Sequence, residues 1–132
     1  MKRFARTTVA ISAVTLLLAL VGPAGAATSV TTHTKLTPSK TTISKGDLVK
    51  FKVVLKANQK KCRVHMPIKL YMGKKFVQKK KTNNKGKVVF KRHPKKTAKW
   101  WAKFPGKKVG QHPNRFNCLP SQSKKKKVVV KP

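Results

Sequence analysis

Val49-Lys50-Phe51-Lys52-Val53-Val54-Leu55-Lys56 is the stretch of sequence that decides the fold class. Apolar residues stand at every second position, and lysines fill most of the positions between them. Because successive side chains of a β-strand point to opposite faces, this period of two predicts a strand with one buried face and one cationic face.

Other short stretches of the chain have the same character. Asn83-Asn84-Lys85-Gly86 predicts the turn of a β-hairpin, because Asn and Gly accept positive φ angles. Residues 105–123 are rich in Pro and Gly and are predicted to form a long loop. No convincing helix follows the first 26 residues, and about seven short strands predict an all-β antiparallel sandwich. The predicted strands are residues 28–37, 41–44, 49–56, 68–71, 76–82, 87–91, 97–104 and 128–130.

The first 26 residues have the pattern of a secretory signal peptide. Lys2, Arg3 and Arg6 precede an apolar run at residues 9–21, and Ala24-Gly25-Ala26 offers a small-residue cleavage site. A membrane anchor is the alternative, but the run is shorter than the roughly 20 residues that a bilayer span requires. The sequence therefore predicts a signal peptide at residues 1–26 and a secreted domain at residues 27–132.

Export affects the interpretation of Cys62 and Cys118, which are the only cysteines. Outside the cytoplasm, two such cysteines are predicted to form a disulfide. The alternative is a metal site that combines Cys62 with His65. Zinc requires about four ligands, however, and the other histidines are scattered singly, so neither a metal nor a cofactor is predicted.

Several segments of the chain share the pattern of one protein family. They are residues 36–39, 42–47, 49–53, 67–71, 82–90 and 100–106. Together they resemble the bacterial immunoglobulin-like repeat domains of exported surface proteins, over roughly residues 30–132. The resemblance implies an immunoglobulin-like sandwich in which Cys62 and Cys118 fall in loops at the same end. Domains of this family serve as spacers, adhesins and carbohydrate-binding accessories, so the resemblance is more specific for fold than for function.

The charge of the chain argues against an enzyme. The 34 Lys and Arg residues face a single acid, Asp47, and the formal net charge is +33. Paired carboxylates for acid–base catalysis and carboxylate-rich calcium or magnesium sites are therefore excluded by composition. A Ser–His–Asp triad would have to recruit Asp47, which follows Gly46 where turn chemistry is expected. No catalytic residue is predicted.

The same charge favours a binder of polyanions. Lysines at alternate strand positions lay cations in rows, and a polyanion that meets them would release counterions and bind in a salt-sensitive way. Lys acts as a point charge, so recognition without sequence specificity is expected. Wall phosphate polymers, nucleic acid and acidic glycans are the predicted partners. The predicted contact residues are Lys50, Lys52, Lys56, Lys79, Lys80, Lys81, Lys87, Lys91, Arg92, Lys99, Trp101 and Lys103.

The adjacent tryptophans have different predicted roles. Alternation places Trp100 in the core and turns Trp101 outward between Lys99 and Lys103. Trp101 would then stack on a base or a sugar or lie at a lipid interface. Cation–π packing against neighbouring lysine stems is an equally weighted alternative.

Two other functions remain open at this point. The first is a cationic antibacterial or toxin-like protein that acts on anionic membranes, to which each Lys would be attracted peripherally. The sequence shows no amphipathic helix for insertion into such a membrane. The second is a structural or adhesive protein that its charge retains on the cell wall.

Overall fold

A computed structural model describes residues 27–132, and the predicted signal peptide at residues 1–26 lies outside the described residues. The described chain consists of β-strands and one 3₁₀ turn at Lys60–Cys62. The strands are β1 (Thr28–Val30), β2 (Thr32–Pro38), β3 (Thr42–Ser44), β4 (Val49–Ala57), β5 (Pro67–Met72), β6 (Lys75–Lys81), β7 (Lys87–Arg92), β8 (Ala98–Phe104), β9 (Lys107–Val109), β10 (Phe116–Cys118), β11 (Ser121–Gln122) and β12 (Lys126–Lys131).

Two of the three sheets pack face to face as an all-β sandwich, as the sequence predicts, and the third is a small sheet with the order β1-β10-β9. The smaller sheet has the antiparallel order β2-β4-β7. The larger sheet has the order β3-β12-β8-β5-β6, and the short β11 pairs with β8. Within the larger sheet, only β3 and β12 run parallel. The chain crosses between the two sheets after β2, β3, β4, β6 and β7 and forms the hairpin of β5 and β6 within the larger sheet, which is an immunoglobulin-like arrangement.

The core fills the space between the sheets. The inward residues of β4, from Val49 to Leu55, are at most 1% exposed, whereas Lys50, Lys52 and Lys56 are exposed. Phe51 stacks on Trp100 of β8 with ring centroids 4.5 Å apart, and such aromatic pairs stabilise a core beyond simple burial. The predicted alternation and the core position of Trp100 are therefore confirmed.

The disulfide joins two connections at one end of the sandwich. Cys62 lies between β4 and β5, Cys118 ends β10, and their Cα atoms are 5.5 Å apart. Residues 105–123 are more ordered than the predicted loop, because β9 and β10 pair with each other and Val30 of β1 pairs with Cys118. These strands were missed because each is only three residues long. In addition, β10 pairs with β1, which is distant in sequence, and local pattern does not show such a pairing.

The predicted hairpin at residues 83–86 is wrong, although the turn itself exists. Asn83 Oδ1 accepts hydrogen bonds from the backbone N–H groups of Lys85 and Lys87. The strands on either side do not pair, because β6 belongs to the larger sheet and β7 to the smaller one. Thr82, which is buried, donates to the carbonyl of Arg63 and accepts from the N–H of Met66. These bonds hold the chain where it leaves the larger sheet for the smaller one.

Candidate binding surfaces

The outer face of the smaller sheet gathers lysines from all three of its strands. Lys50 of β4 stands opposite Lys91 of β7, and Val54 stands between Lys35 and Lys87. Strand alternation points all of these side chains away from the core. The lysines of this face are Lys35, Lys50, Lys52, Lys56, Lys87 and Lys91, and each is exposed.

The outer face of the larger sheet has a more ordered arrangement of charge. Lys69 of β5 is paired with Lys103 of β8 on one side and with Lys79 of β6 on the other. We call these three residues the cationic row. Adjacent strands are about 4.8 Å apart, so the row extends about 10 Å at the backbone. On the same face, Lys99 stands opposite Lys127 of β12. Like charges in direct opposition are destabilising unless an anion lies between them.

Three aromatic side chains lie between these two sets of lysines. Trp101 is paired with Tyr71, which is paired with Phe76 across the next strand; we call these three residues the aromatic row. The rings of Trp101 and Tyr71 stack with centroids 4.5 Å apart, and Phe76 meets Tyr71 edge-on at 5.8 Å. The indole N–H of Trp101 donates to the carbonyl of Gly73 at 2.7 Å. This bond and the stacking fix the ring on the surface.

A bulge aligns the aromatic row. The pairing of β5 with β6 shifts between Leu70 and Tyr71, so Val77 is an extra residue in β6. Without the register shift, Tyr71 would face Val77 and Phe76 would pair with Met72, on the other side of the strand. The bulge therefore brings Phe76 to the outer face beside Tyr71, where 49% of its surface is exposed.

The predicted contact residues are divided between the two faces. Lys50, Lys52, Lys56, Lys87 and Lys91 lie on the smaller sheet, and Lys79, Lys81, Lys99, Trp101 and Lys103 lie on the larger one. Lys80 and Arg92 lie on the sides of β6 and β7 that face the other sheet, at the edge of the sandwich where the two sheets part. Lys80 reaches across that edge, and its Nζ donates to the carbonyl of Val89 in β7.

Sequence reasoning missed Lys69, Lys127, Tyr71 and Phe76 as members of the larger surface. Their outward position in a strand could be read from alternation, but their neighbours depend on the pairing of strands. The sequence predicted Trp101 as a contact residue but not its stacking partner Tyr71. The two residues are far apart in sequence, and only the pairing of β5 with β8 brings them together.

The single acid of the chain does not neutralise either face. Asp47 lies in the connection between β3 and β4, and its Oδ2 accepts a hydrogen bond from the N–H of Ser44 at 3.0 Å. This is the turn role that the sequence predicts. Within residues 27–132, no three His, Cys, Asp or Glu side chains lie together as a metal site would require.

Comparison with known protein families finds no family that matches the chain, and comparison with curated proteins finds no match either. The resemblance to bacterial immunoglobulin-like repeat domains therefore stays a prediction. In the part of the chain from residue 27 onward, no helix is long and apolar enough to cross a membrane.

Proposed function

We propose that the protein is a secreted, non-enzymatic binder of polyanions, which it contacts through the lysine-rich outer faces of its sheets. Candidate partners are wall phosphate polymers, nucleic acid and acidic glycans. The observation that carries the proposal is the direct opposition of lysines across neighbouring strands, as in Lys103, Lys69 and Lys79. Such rows are unfavourable in isolation and become favourable when a chain of negative charges lies along them.

The larger sheet is the better candidate for the principal contact face. It combines the cationic row, the pair of Lys99 and Lys127, and the aromatic row between them. Positively charged grooves with exposed aromatic rings are typical of surfaces that bind single strands, because each base offers a flat face for stacking. The smaller sheet offers lysines and His33 but no Phe, Tyr or Trp ring on its outer face among residues 27–132, so it favours contacts by charge.

A binding titration at rising salt tests the proposal. The oxidised protein is titrated with mixed-sequence duplex DNA, with a poly(glycerol phosphate) chain and with neutral dextran as the control. We expect tight binding to both polyanions, a linear fall of log affinity with log salt, and no binding to dextran. If the protein bound neither polyanion at near-physiological salt, the proposal would be refuted.

Vesicle leakage separates this function from attack on membranes. Vesicles that contain an anionic lipid are loaded with a dye and mixed with the protein. A polyanion binder adsorbs to the lipid head groups and leaves the vesicles intact, because attraction to the surface does not by itself insert a chain. Dye release at the concentrations that saturate DNA would favour the antibacterial alternative.

A further inference from the structure

The two sheets part at their edge strands, β6 and β7, and leave a cavity of about 470 Å³. It lies beyond the turn between β5 and β6 and the connection between β7 and β8, at the end of the sandwich opposite the disulfide. Its volume falls within the range of about 300–1,000 Å³ that is typical of small-molecule sites. Of the proposed polyanion contacts on the outer faces, only Phe76 of the aromatic row also lines this space.

The cavity has one apolar side and one basic side. The hairpin of β5 and β6 contributes Met72, Phe76 and Val77, and Trp100 of β8 adds the edge of the core. The opposite side is the end of β7 and the connection between β7 and β8, with the cations Arg92, Lys95 and Lys96 and the imidazole of His93. Lys75 stands at the hairpin. The side chain of Asp47 does not line the cavity, although His93 Nδ1 lies 3.0 Å from the carbonyl oxygen of Gly46, its neighbour in sequence.

Trp100 lies at the border between the cavity and the core. Its indole ring is 3% exposed, and its Nε1 is buried with no hydrogen-bond partner among residues 27–132. Its neighbour Trp101, by contrast, donates to a backbone carbonyl. A buried donor without an acceptor is unfavourable and uncommon. Trp100 lines the cavity, but its Nε1 is itself enclosed, so the indole borders a ligand in the cavity without contacting the head group.

We propose that this cavity binds a small amphipathic anion, a carboxylate or similar oxyanion attached to a short apolar body. The head group lies against the basic connection of Arg92 to Lys96, and the body lies against Met72, Phe76 and Val77. The positive charge of the connection selects for an anionic head group, and the apolar side chains of the hairpin select for an apolar body. This site shares Phe76 with the aromatic row, and its basic side is formed by residues other than the lysines of the outer faces.

Octanoate is the probe, and the two indole N–H groups of the protein are the reporters. The oxidised, ¹⁵N-labelled protein is titrated by NMR, and a Trp101→Phe variant assigns the two signals. We expect a saturable shift of the Trp100 signal, with the Trp101 signal nearly unchanged. Acetate lacks the apolar body and 1-octanol lacks the charge, so each should bind at least about tenfold more weakly than octanoate.

Two triple variants with the same loss of charge give the matched comparison. Arg92→Gln/Lys95→Gln/Lys96→Gln removes the basic side and should weaken octanoate binding about tenfold. Arg115→Gln/Lys107→Gln/Lys108→Gln removes one Arg and two Lys at the disulfide end and should leave octanoate affinity unchanged.

Phe76→Ala tests the apolar side without disturbing the core, since the ring is 49% exposed. It should weaken octanoate binding and leave the weak affinity for acetate as it was. Salt separates the site from the outer faces: at about 0.5 M salt, screening should abolish DNA binding and reduce octanoate affinity only a few-fold. Equal losses in the two triple variants, or a Trp100 signal that does not respond to octanoate, would overturn the proposal.

Discussion

Replacing Lys69, Lys99 and Lys103 with Gln should weaken the binding of a short single-stranded DNA by about 100-fold at about 0.1 M salt. The three lysines belong to paired positions on the outer face of the larger sheet. Each contact to a phosphate of a single strand contributes about 0.7 to the slope of log affinity against log salt. Three lost contacts therefore lower the slope by about 2. Because about 0.1 M salt is one power of ten below the 1 M reference, this change of slope lowers the affinity by about two powers of ten.

The assay is fluorescence anisotropy with a labelled thymidine strand of about 12 nucleotides, short enough to occupy one face. The control is Arg115→Gln/Lys107→Gln/Lys108→Gln, which removes the same charge from the disulfide end. We expect its slope to stay within about 0.5 of the parent value. Thermal unfolding checks the fold of both variants, and loss of opposed lysines should not lower stability. Equal changes of slope in the two variants would refute the assignment of this face, because net charge alone would then explain binding.

Three further predictions concern the disulfide, a turn and the aromatic row. Cys62→Ala/Cys118→Ala opens a loop with a sequence separation of 56, and the chain-entropy model predicts a loss of about 4 kcal/mol in the free energy of unfolding. Urea unfolding at fixed salt measures it, and a loss below about 1 kcal/mol would contradict that model. Gly86→Ala should cost at least about 2 kcal/mol, since φ is +76° and a Cβ would lie 2.7 Å from a backbone carbonyl. Gly73→Ala, at φ +62° in open space, is its control and should cost less; equal costs would show that the close contact is relieved. Trp101→Ala should weaken single-stranded DNA about tenfold and leave poly(glycerol phosphate) binding unchanged, and an equal effect on both polymers would show that Trp101 does not stack on bases.

Local features of the sequence predicted the longer strands and the core correctly, whereas β9, β10 and β11 were missed and the predicted strand at residues 28–37 is divided into β1 and β2. Alternation in residues 49–55 depends only on the geometry of a single strand, and the structure buries the residues that this geometry selects. The disulfide followed from the predicted export of a chain with only Cys62 and Cys118, and the structure contains that bond. These inferences needed no knowledge of which strand pairs with which.

Features that depend on strand pairing could not be predicted. The turn at residues 83–86 has the local chemistry of a hairpin, yet the hydrogen bonds of Thr82 direct the chain to the other sheet. For the same reason, Lys79 and Lys87 are close in sequence and lie on opposite faces of the sandwich. Lys69 and Lys103 are far apart in sequence and stand side by side. Register therefore determines which cations form a surface, and a single sequence does not display register.

The charge of the chain links its folding to its proposed ligands. Paired strands place lysines directly opposite one another, and the lone acid is engaged in a turn, so the fold concentrates repulsion that it does not neutralise itself. The disulfide offsets part of that cost by restricting the unfolded chain. An anion that binds only the folded form offsets more of it, in proportion to the logarithm of its concentration over its Kd. The rows of opposed lysines that lower the stability of the isolated protein are therefore the ones at which a bound polyanion would raise it most. For this reason we infer binding from the opposition of the lysines and not from net charge alone.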